Sequence, residues 1–151
     1  MSNKLNEDFV DFINALNNAN VEYLLVGGYA VIYHGYNRTT GDIDIWVNPT
    51  FENYEKLKNA FFDFGMSLFD MTLERFCDLK FTDVFTFGRP PVCIEILTNV
   101  SGLSFKSAYK NALHTNWEGV FVNIIDMRDL IKNKKASGRN KDLDDLDHLK
   151  F

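Results

Sequence analysis

The feature that most constrains the fold of this chain is a short apolar run that ends in two adjacent glycines. Residues 23–26 (YLLV) have strand character, and they are followed by Gly27 and Gly28 and then by residues 29–33 (YAVIY). A glycine pair permits a sharp turn that exposes backbone amides. Since residues 29–33 suit one or two helical turns, Gly28 is predicted at a helix N-terminus, where unpaired amides and the helix dipole attract phosphate.

A pair of carboxylates in residues 42–47 (DIDIWV) is the second constraint. Successive side chains of a strand point to opposite faces, so Asp42 and Asp44 are predicted to share one face. Two neighbouring anions repel each other and resist burial, which favours either exposure to water or a bound cation. Oxygen ligands of this kind suit Mg²⁺ or Mn²⁺.

Each motif also has a simpler interpretation. A double glycine can be an ordinary turn, and an Asp-x-Asp triplet can be the solvated edge of a strand. Their conjunction, in this order and with residues 38–40 (RTT) directly before the acids, favours a functional site.

A third carboxylate, Glu95, interrupts the apolar run of residues 92–97 (VCIEIL). A lone ionised group in such a strand is unfavourable by on the order of several kcal/mol unless it meets a partner. The residues alone leave two explanations open. Glu95 shares a metal ion with the two aspartates, or it forms a salt bridge, for example to Arg38 or Lys80.

Size and composition indicate an ordinary globular protein. The chain has 151 residues, 46% of them hydrophobic and 25% charged, which predicts a single domain over residues 1–151 with a substantial core. No apolar run approaches the ~20 residues that span a bilayer, and the first residues lack an apolar signal core, so a cytoplasmic protein without a membrane partner is expected. The net charge of -5 argues against nonspecific wrapping of nucleic acid.

Periodicity elsewhere predicts an α/β (α+β) sheet protein. Helices are expected within 4–19, 54–64 and 104–112, and strands within 80–87 and 120–125. Asp126 is predicted to cap a further helix. In the last helix, the spacing of Leu143, Leu146 and Leu149 predicts core contacts. Between these two helices, residues 132–142 (KNKKASGRNKD) form a basic cluster in an acidic protein, and solvated helix surface is the simple interpretation for Lys132 and Lys135.

Together these motifs resemble the nucleotidyltransferase-fold superfamily (DNA polymerase beta-like), most closely its small stand-alone bacterial members of the abortive-infection toxin and minimal nucleotidyltransferase type. The family pattern has Gly-Gly before a helix, an Arg-x-Thr-x-Asp-x-Asp strand, a third carboxylate on a later strand and a Lys-rich, Arg-x-Lys-Asp ending. It is matched by Gly27-Gly28, residues 38–44 (RTTGDID), Glu95 and residues 134–142. The likeness spans about residues 22–146.

The resemblance implies a mixed β-sheet flanked by helices, and it assigns roles to the residues that match. Asp42, Asp44 and Glu95 become the catalytic carboxylates that hold metal. Asp83, in a strand-like run, is a rival to Glu95, which is preferred because the family places the last acid between apolar residues on the strand beside the Asp-x-Asp strand. The implied nucleotide-binding residues are Gly27, Gly28, Arg38, Thr40, Lys134, Arg139 and Lys141.

The implied reaction moves a nucleoside monophosphate from a nucleoside triphosphate such as ATP to a hydroxyl acceptor and releases pyrophosphate. One Mg²⁺ or Mn²⁺ would bridge the phosphates to Asp42 and Asp44, and a second, held also by Glu95, would lower the pKa of the acceptor hydroxyl. The acceptor stays open between a tRNA end, a protein hydroxyl and a small molecule. A cognate antitoxin is a further possible partner.

Two other functions remain open at this point. The first is a catalytically degenerate, nucleotide-binding partner protein of a toxin-antitoxin-like pair, because a chain this short leaves little room for a separate acceptor-binding domain. The second takes residues 42–44 as the Asp-x-Asp of a sugar-nucleotide transferase, which leaves the glycine pair and the ending at residues 139–142 unexplained.

Overall fold

The structure is a computed structural model that describes residues 5–78, 80, 84–89 and 92–149. Its helices are α1 (Glu7–Asn18), α2 (Gly27–Tyr33), α3 (Phe51–Phe64), α4 (Leu73–Cys77), α5 (Phe105–Asn111), α6 (Met127–Ser137) and α7 (Asn140–His148). Its strands are β1 (Tyr23–Val26), β2 (Asp42–Val47), β3 (Val84–Arg89), β4 (Val92–Leu97), β5 (Leu113–Trp117) and β6 (Val120–Ile124). Asp83, the rival candidate for the third carboxylate, lies outside the described residues.

The strands form one mixed sheet of six in the order β3-β4-β2-β1-β6-β5. β1 is antiparallel to β2 and parallel to β6, β2 is parallel to β4, and β3-β4 and β5-β6 are antiparallel pairs. A mixed sheet flanked by helices confirms the predicted fold class. Strand β5 is not predicted by periodicity, because its residues (LHTNW) are mostly polar and it lies at an edge of the sheet.

The two faces of β2 separate the hydrophobic core from the candidate site. Ile43 and Ile45 are fully buried on one face. On that side α1 packs against α3, where the Phe12 ring makes edge-to-face contacts with Phe61 and Phe64 at centroid distances of 5.6 and 5.2 Å. The opposite face carries Asp42 and Asp44 at the alternate strand positions. The period of two therefore delivers apolar residues to the core and carboxylates to the other side.

Several ends of elements follow from residues that the sequence marks. Thr50 accepts a hydrogen bond from the Asn53 amide at the start of α3, and Gly65 ends that helix in the left-handed region. Asp126 caps α6 as predicted, by accepting from the Arg128 amide. Among the described helices, none combines the length and the apolar character needed to cross a bilayer.

The prediction that Leu143 makes core contacts in α7 is wrong. Its side chain is 51% exposed, whereas the buried residues of α7 are Asp142 and Asp145. Leu149, just after the helix, is buried with them. The inward face of α7 is thus acidic, and the reason is electrostatic, because cations from other segments meet these two carboxylates in the interior.

Replacing Phe12 with Ala should lower the free energy of unfolding by about 3–5 kcal/mol, since it removes a fully buried ring and leaves a cavity between α1 and α3. Urea denaturation measures the difference. Phe62→Ala is the matched control on α3, because Phe62 is 84% exposed and its loss should change stability by less than about 0.5 kcal/mol. Equal effects of the two variants would contradict this account of the core.

Candidate functional site

The turn between β1 and α2 has room for glycine only. Gly27 has φ +67, in the left-handed region, and a Cβ built on it would lie 2.8 Å from Cγ of Asp44. A Cβ on Gly28 would lie 2.9 Å from Oγ1 of Thr40 and 3.2 Å from Nη2 of Arg38. The segment of Arg38, Thr40 and Asp44 is therefore packed directly onto the glycine turn, and two motifs that are separate in sequence become one surface.

Thr40 orders the start of the carboxylate strand. Its Oγ1 accepts from the Asp42 amide at 3.4 Å and donates to the Asp42 carbonyl at 3.3 Å. This local turn sets the register in which Asp42 and Asp44 enter the sheet.

Asp44 and Glu95 are adjacent on parallel strands. They are register partners in the β2-β4 pair, and their carboxyl groups lie within hydrogen-bonding reach of each other. Burial, the hydrogen bond to Glu95 and the charges of Glu95 and Asp42 raise the pKa of Asp44 from 3.8 to about 7, while the charge of Lys141 acts in the opposite direction. In the absence of a cation, this pair therefore holds a proton under conditions where an ordinary carboxyl is ionised.

One oxygen of this pair has the character of a cation ligand. Oδ1 of Asp44 is buried and has no hydrogen-bond partner in the described part of the chain. Buried polar atoms of folded proteins are normally satisfied, so this atom fits a bound cation. Mg²⁺ commonly uses one or two carboxylates and completes its shell with water and substrate phosphate, and the oxygens of Asp44 and Glu95 suit that chemistry.

Asp42 stands apart from this pair. It lies two residues before Asp44 on the same strand, and its register partner is Cys93. Within residues 5–78, 80, 84–89 and 92–149, no group of three or more His, Cys, Asp or Glu side chains is placed to hold one metal ion. The predicted set of three carboxylates is therefore arranged as a close pair with a third acid nearby.

Five charged side chains form an alternating chain beside the site, in the order Arg139, Asp142, Lys134, Asp145, Arg38. Nζ of Lys134 lies 3.0 Å from Asp142 Oδ1 and 3.2 Å from Asp145 Oδ2. Nε of Arg139 lies 2.8 Å from Asp142 Oδ2. Nη2 of Arg38 donates to Asp145 Oδ2 at 3.2 Å, while its Nε lies 3.1 Å from Oδ1 without the direction of a hydrogen bond. We call this set the ion chain.

The middle of the ion chain is buried. Lys134, Asp142 and Asp145 are 3%, 0% and 1% exposed. Burial alone raises the pKa of Asp142, but hydrogen bonds from Arg139, Ser137 and Lys134 outweigh it and hold the pKa of that carboxyl well below its usual range. The ion chain therefore fixes α6 and α7 to the loop that precedes β2.

The cations predicted to bind nucleotide therefore differ in whether they are already paired with a carboxylate of the protein. Lys134 and Arg38 are engaged by the ion chain, and Arg139 is engaged by Asp142 although its side chain is 61% exposed. Lys141 is exposed and forms no salt bridge with any other described residue. Glu95 does not take Arg38 as its partner, since that guanidinium is paired with Asp145.

A cleft of about 340 Å³ opens over the carboxylate pair. Asp44 and Glu95 line it together with Gly27, and Arg139 and Lys141 line it from the C-terminal helices. Carboxylates, a glycine turn and two cations thus face one space, a combination that suits an anionic ligand with an accompanying metal ion.

Sequence reasoning missed the part played by Asp145. The available signal is spacing, because Asp142, Asp145 and Leu149 follow the i, i+3, i+7 pattern of a buried helical face. A charged residue at such positions indicates a buried partner of opposite sign, but the leucines on the neighbouring face concealed this pattern.

One family model matches residues 5–150 of the chain, and it is described as a nucleotidyl transferase of unknown function (DUF2204). The match includes the glycine turn, both carboxylate strands and the ion chain. No curated protein matches the chain.

The raised pKa of Asp44 predicts a pH-dependent stability in metal-free buffer. The unfolded chain loses this proton near 3.8 and the folded chain near 7, so the folded state binds more protons between these values and loses stability as the pH rises through them. Relative to Asp44→Asn, the free energy of unfolding of the parent should fall from pH 4 to pH 7 and then level off. Glu95→Gln should weaken this trend without removing it, because burial remains. If the difference in free energy of unfolding between the parent and Asp44→Asn does not change with pH, the raised pKa of Asp44 is contradicted.

Removing one member of the ion chain should lower the free energy of unfolding. Asp145→Asn leaves the buried Lys134 with one carboxylate and Arg38 with none from α7, so the free energy of unfolding should fall by about 3 kcal/mol. Asp147→Asn, at an exposed position of the same helix, is the matched control. Thermal or urea unfolding measures both, and equal stabilities would show that the ion chain does not hold the helices.

Proposed function

Because this chain belongs to the family of nucleotidyl transferases of unknown function, we propose that it is a metal-dependent nucleotidyltransferase that moves a nucleoside monophosphate from a nucleoside triphosphate to a hydroxyl acceptor. The observation that carries the proposal is the Asp44–Glu95 pair, which lies against the glycine turn and leaves a buried carboxylate oxygen without a partner.

Asp44 and Glu95 would hold Mg²⁺ or Mn²⁺, with Asp42 close enough to add its charge. Such an ion, when bound, neutralises phosphate charge and acidifies a bound hydroxyl. The two carboxylates lie on neighbouring strands of one sheet, so their positions are set by backbone register rather than by flexible loops. That rigidity suits a site that must orient an acceptor oxygen in line with the α-phosphate.

The remaining residues would bind and orient the triphosphate. Gly27 lines the cleft beside Asp44 and Glu95, whereas Thr40 and Arg38 pack closely against Gly28, so the glycine turn would meet the triphosphate on its Gly27 side. Lys141 and Arg139 would supply positive charge from the opposite wall of the cleft. Lys134 and Asp145 would act indirectly, by keeping Arg38 over Gly28 and α7 beside the cleft.

A second function is favoured by one observation. Asp42 is not drawn into the Asp44–Glu95 pair, so the site offers two close carboxylates where the motif has three. A protein that binds nucleotide without turnover, as one half of a toxin-antitoxin-like pair, would need no more than this.

Transfer should depend on Glu95 far more than nucleotide binding does. We expect the parent, incubated with labelled triphosphates and Mg²⁺ or Mn²⁺, to label an acceptor supplied as tRNA or cell lysate. Glu95→Gln should lower the transfer rate by about 100-fold or more, because it removes a metal-holding charge with little change in volume, and should alter binding of the Mg²⁺-nucleotide only several-fold. Glu74→Gln, an exposed position on α4, is the matched control.

Two outcomes would decide against transfer. If the parent binds triphosphate but labels no acceptor under any of these conditions, and Glu95→Gln binds as the parent does, nucleotide binding without turnover becomes the better description. If Mg²⁺ and triphosphate together fail to raise the melting temperature of the parent, neither function stands.

A further inference from the structure

The cleft above the carboxylate pair has two ends of different chemistry. One end carries the charged groups and the glycine turn described above. The other end is formed by residues without an ionisable side chain, namely Val84, Leu97, Asn99, Val100, Ser101 and Asn133. A ligand that fills both ends must therefore join a polyanionic part to a neutral part.

Two apolar side chains of the sheet, Val84 and Leu97, form the floor of the neutral end. Val84 and Leu97 are register partners in the β3-β4 pair, one alternate position beyond the Thr86–Glu95 pair and on the same face as Glu95. Val84 is 47% exposed although it is apolar. Alternate residues of a strand are about 6.6 Å apart, which is close to the span of the ribose between the α-phosphate and the base of a nucleotide.

Asn133 gives this end a defined polarity. Its side-chain Nδ2 donates to the carbonyl of Ser101 at 3.1 Å, which fixes the orientation of the amide. Oδ1 of Asn133 accepts no hydrogen bond from any described residue, and the side chain lines the cleft. The neutral end therefore presents an oriented acceptor above an apolar floor.

We propose that this neutral end is the nucleobase subsite and that Asn133 Oδ1 accepts a hydrogen bond from the amino group at N6 of adenine or at N4 of cytosine. Adenine and cytosine carry that donor at N6 and N4, whereas guanine and uracil carry an acceptor oxygen at the equivalent place. The subsite thus selects adenine or cytosine nucleotides, with the base on Val84 and Leu97. This inference rests on the proposed function, because it requires the triphosphate at the charged end.

The test compares nucleotides that differ at this one group. With Mg²⁺ present, the parent should bind ATP about tenfold more tightly than inosine triphosphate, which has an oxygen in place of the N6 amino group, and CTP more tightly than UTP. Asn133→Ala should bring ATP and inosine triphosphate to within about twofold, and should leave the affinity for inorganic tripolyphosphate unchanged. Asn14→Ala, exposed on α1, is the control and should keep the parent preference.

The outcomes separate this inference from the proposed function. If the parent binds tripolyphosphate and all nucleotides alike, or if Asn133→Ala keeps the preference for ATP, the base subsite is wrong while the function stands. If neither nucleotides nor tripolyphosphate bind with Mg²⁺, both are overturned. Because the comparison of ATP with inosine triphosphate is made on the parent, it remains decisive even if Asn133→Ala fails to fold.

Discussion

Two carboxyl groups placed side by side by strand register are the constraint on which the site depends. Asp44 and Glu95 cannot both ionise in a half-buried position without a compensating charge, and the neighbouring elements are arranged around that conflict. Gly27 lacks a side chain because the Asp44 carboxylate occupies the space where a Cβ would be. Lys141 approaches from α7 and lowers the pKa that burial raises. The glycine turn thus leaves space for the Asp44 carboxylate, and the C-terminal helix places a positive charge near it.

The ion chain explains how distant parts of the sequence form one site. Asp145 joins Arg38, in the loop before β2, to Lys134 on α6, and Asp142 joins Lys134 to Arg139. Buried ion pairs are weak evidence for stability as such, but they fix geometry, because each buried charge must keep its partner. The ion chain therefore fixes the position of the cleft wall that carries Arg139 and Lys141. That position is set relative to Asp44 and Glu95, which lie on the sheet. A nucleotide would then meet a preformed site.

Features that depend on a few neighbouring residues, such as strand alternation and helix ends, could be predicted from the sequence. Period-two alternation placed Asp42 and Asp44 opposite Ile43 and Ile45, Gly65 ended α3, and Asp126 capped α6, because each of these depends on a few neighbouring residues. The fold class followed from the order of such elements. The edge strand β5 did not, since its polar residues are held by pairing with β6 rather than by their own preference.

The sequence by itself determined which residues are candidates for the site and that Asp42 and Asp44 share one face of their strand. Only the tertiary structure decided how they pair. The β2-β4 register makes Glu95 the neighbour of Asp44 and leaves Asp42 beside Cys93, and the ion chain engages Lys134 and Arg38 while leaving Lys141 exposed. The physical reason is that strand register and burial are set by contacts between distant segments, and the partner of a charge is chosen only when the chain has folded.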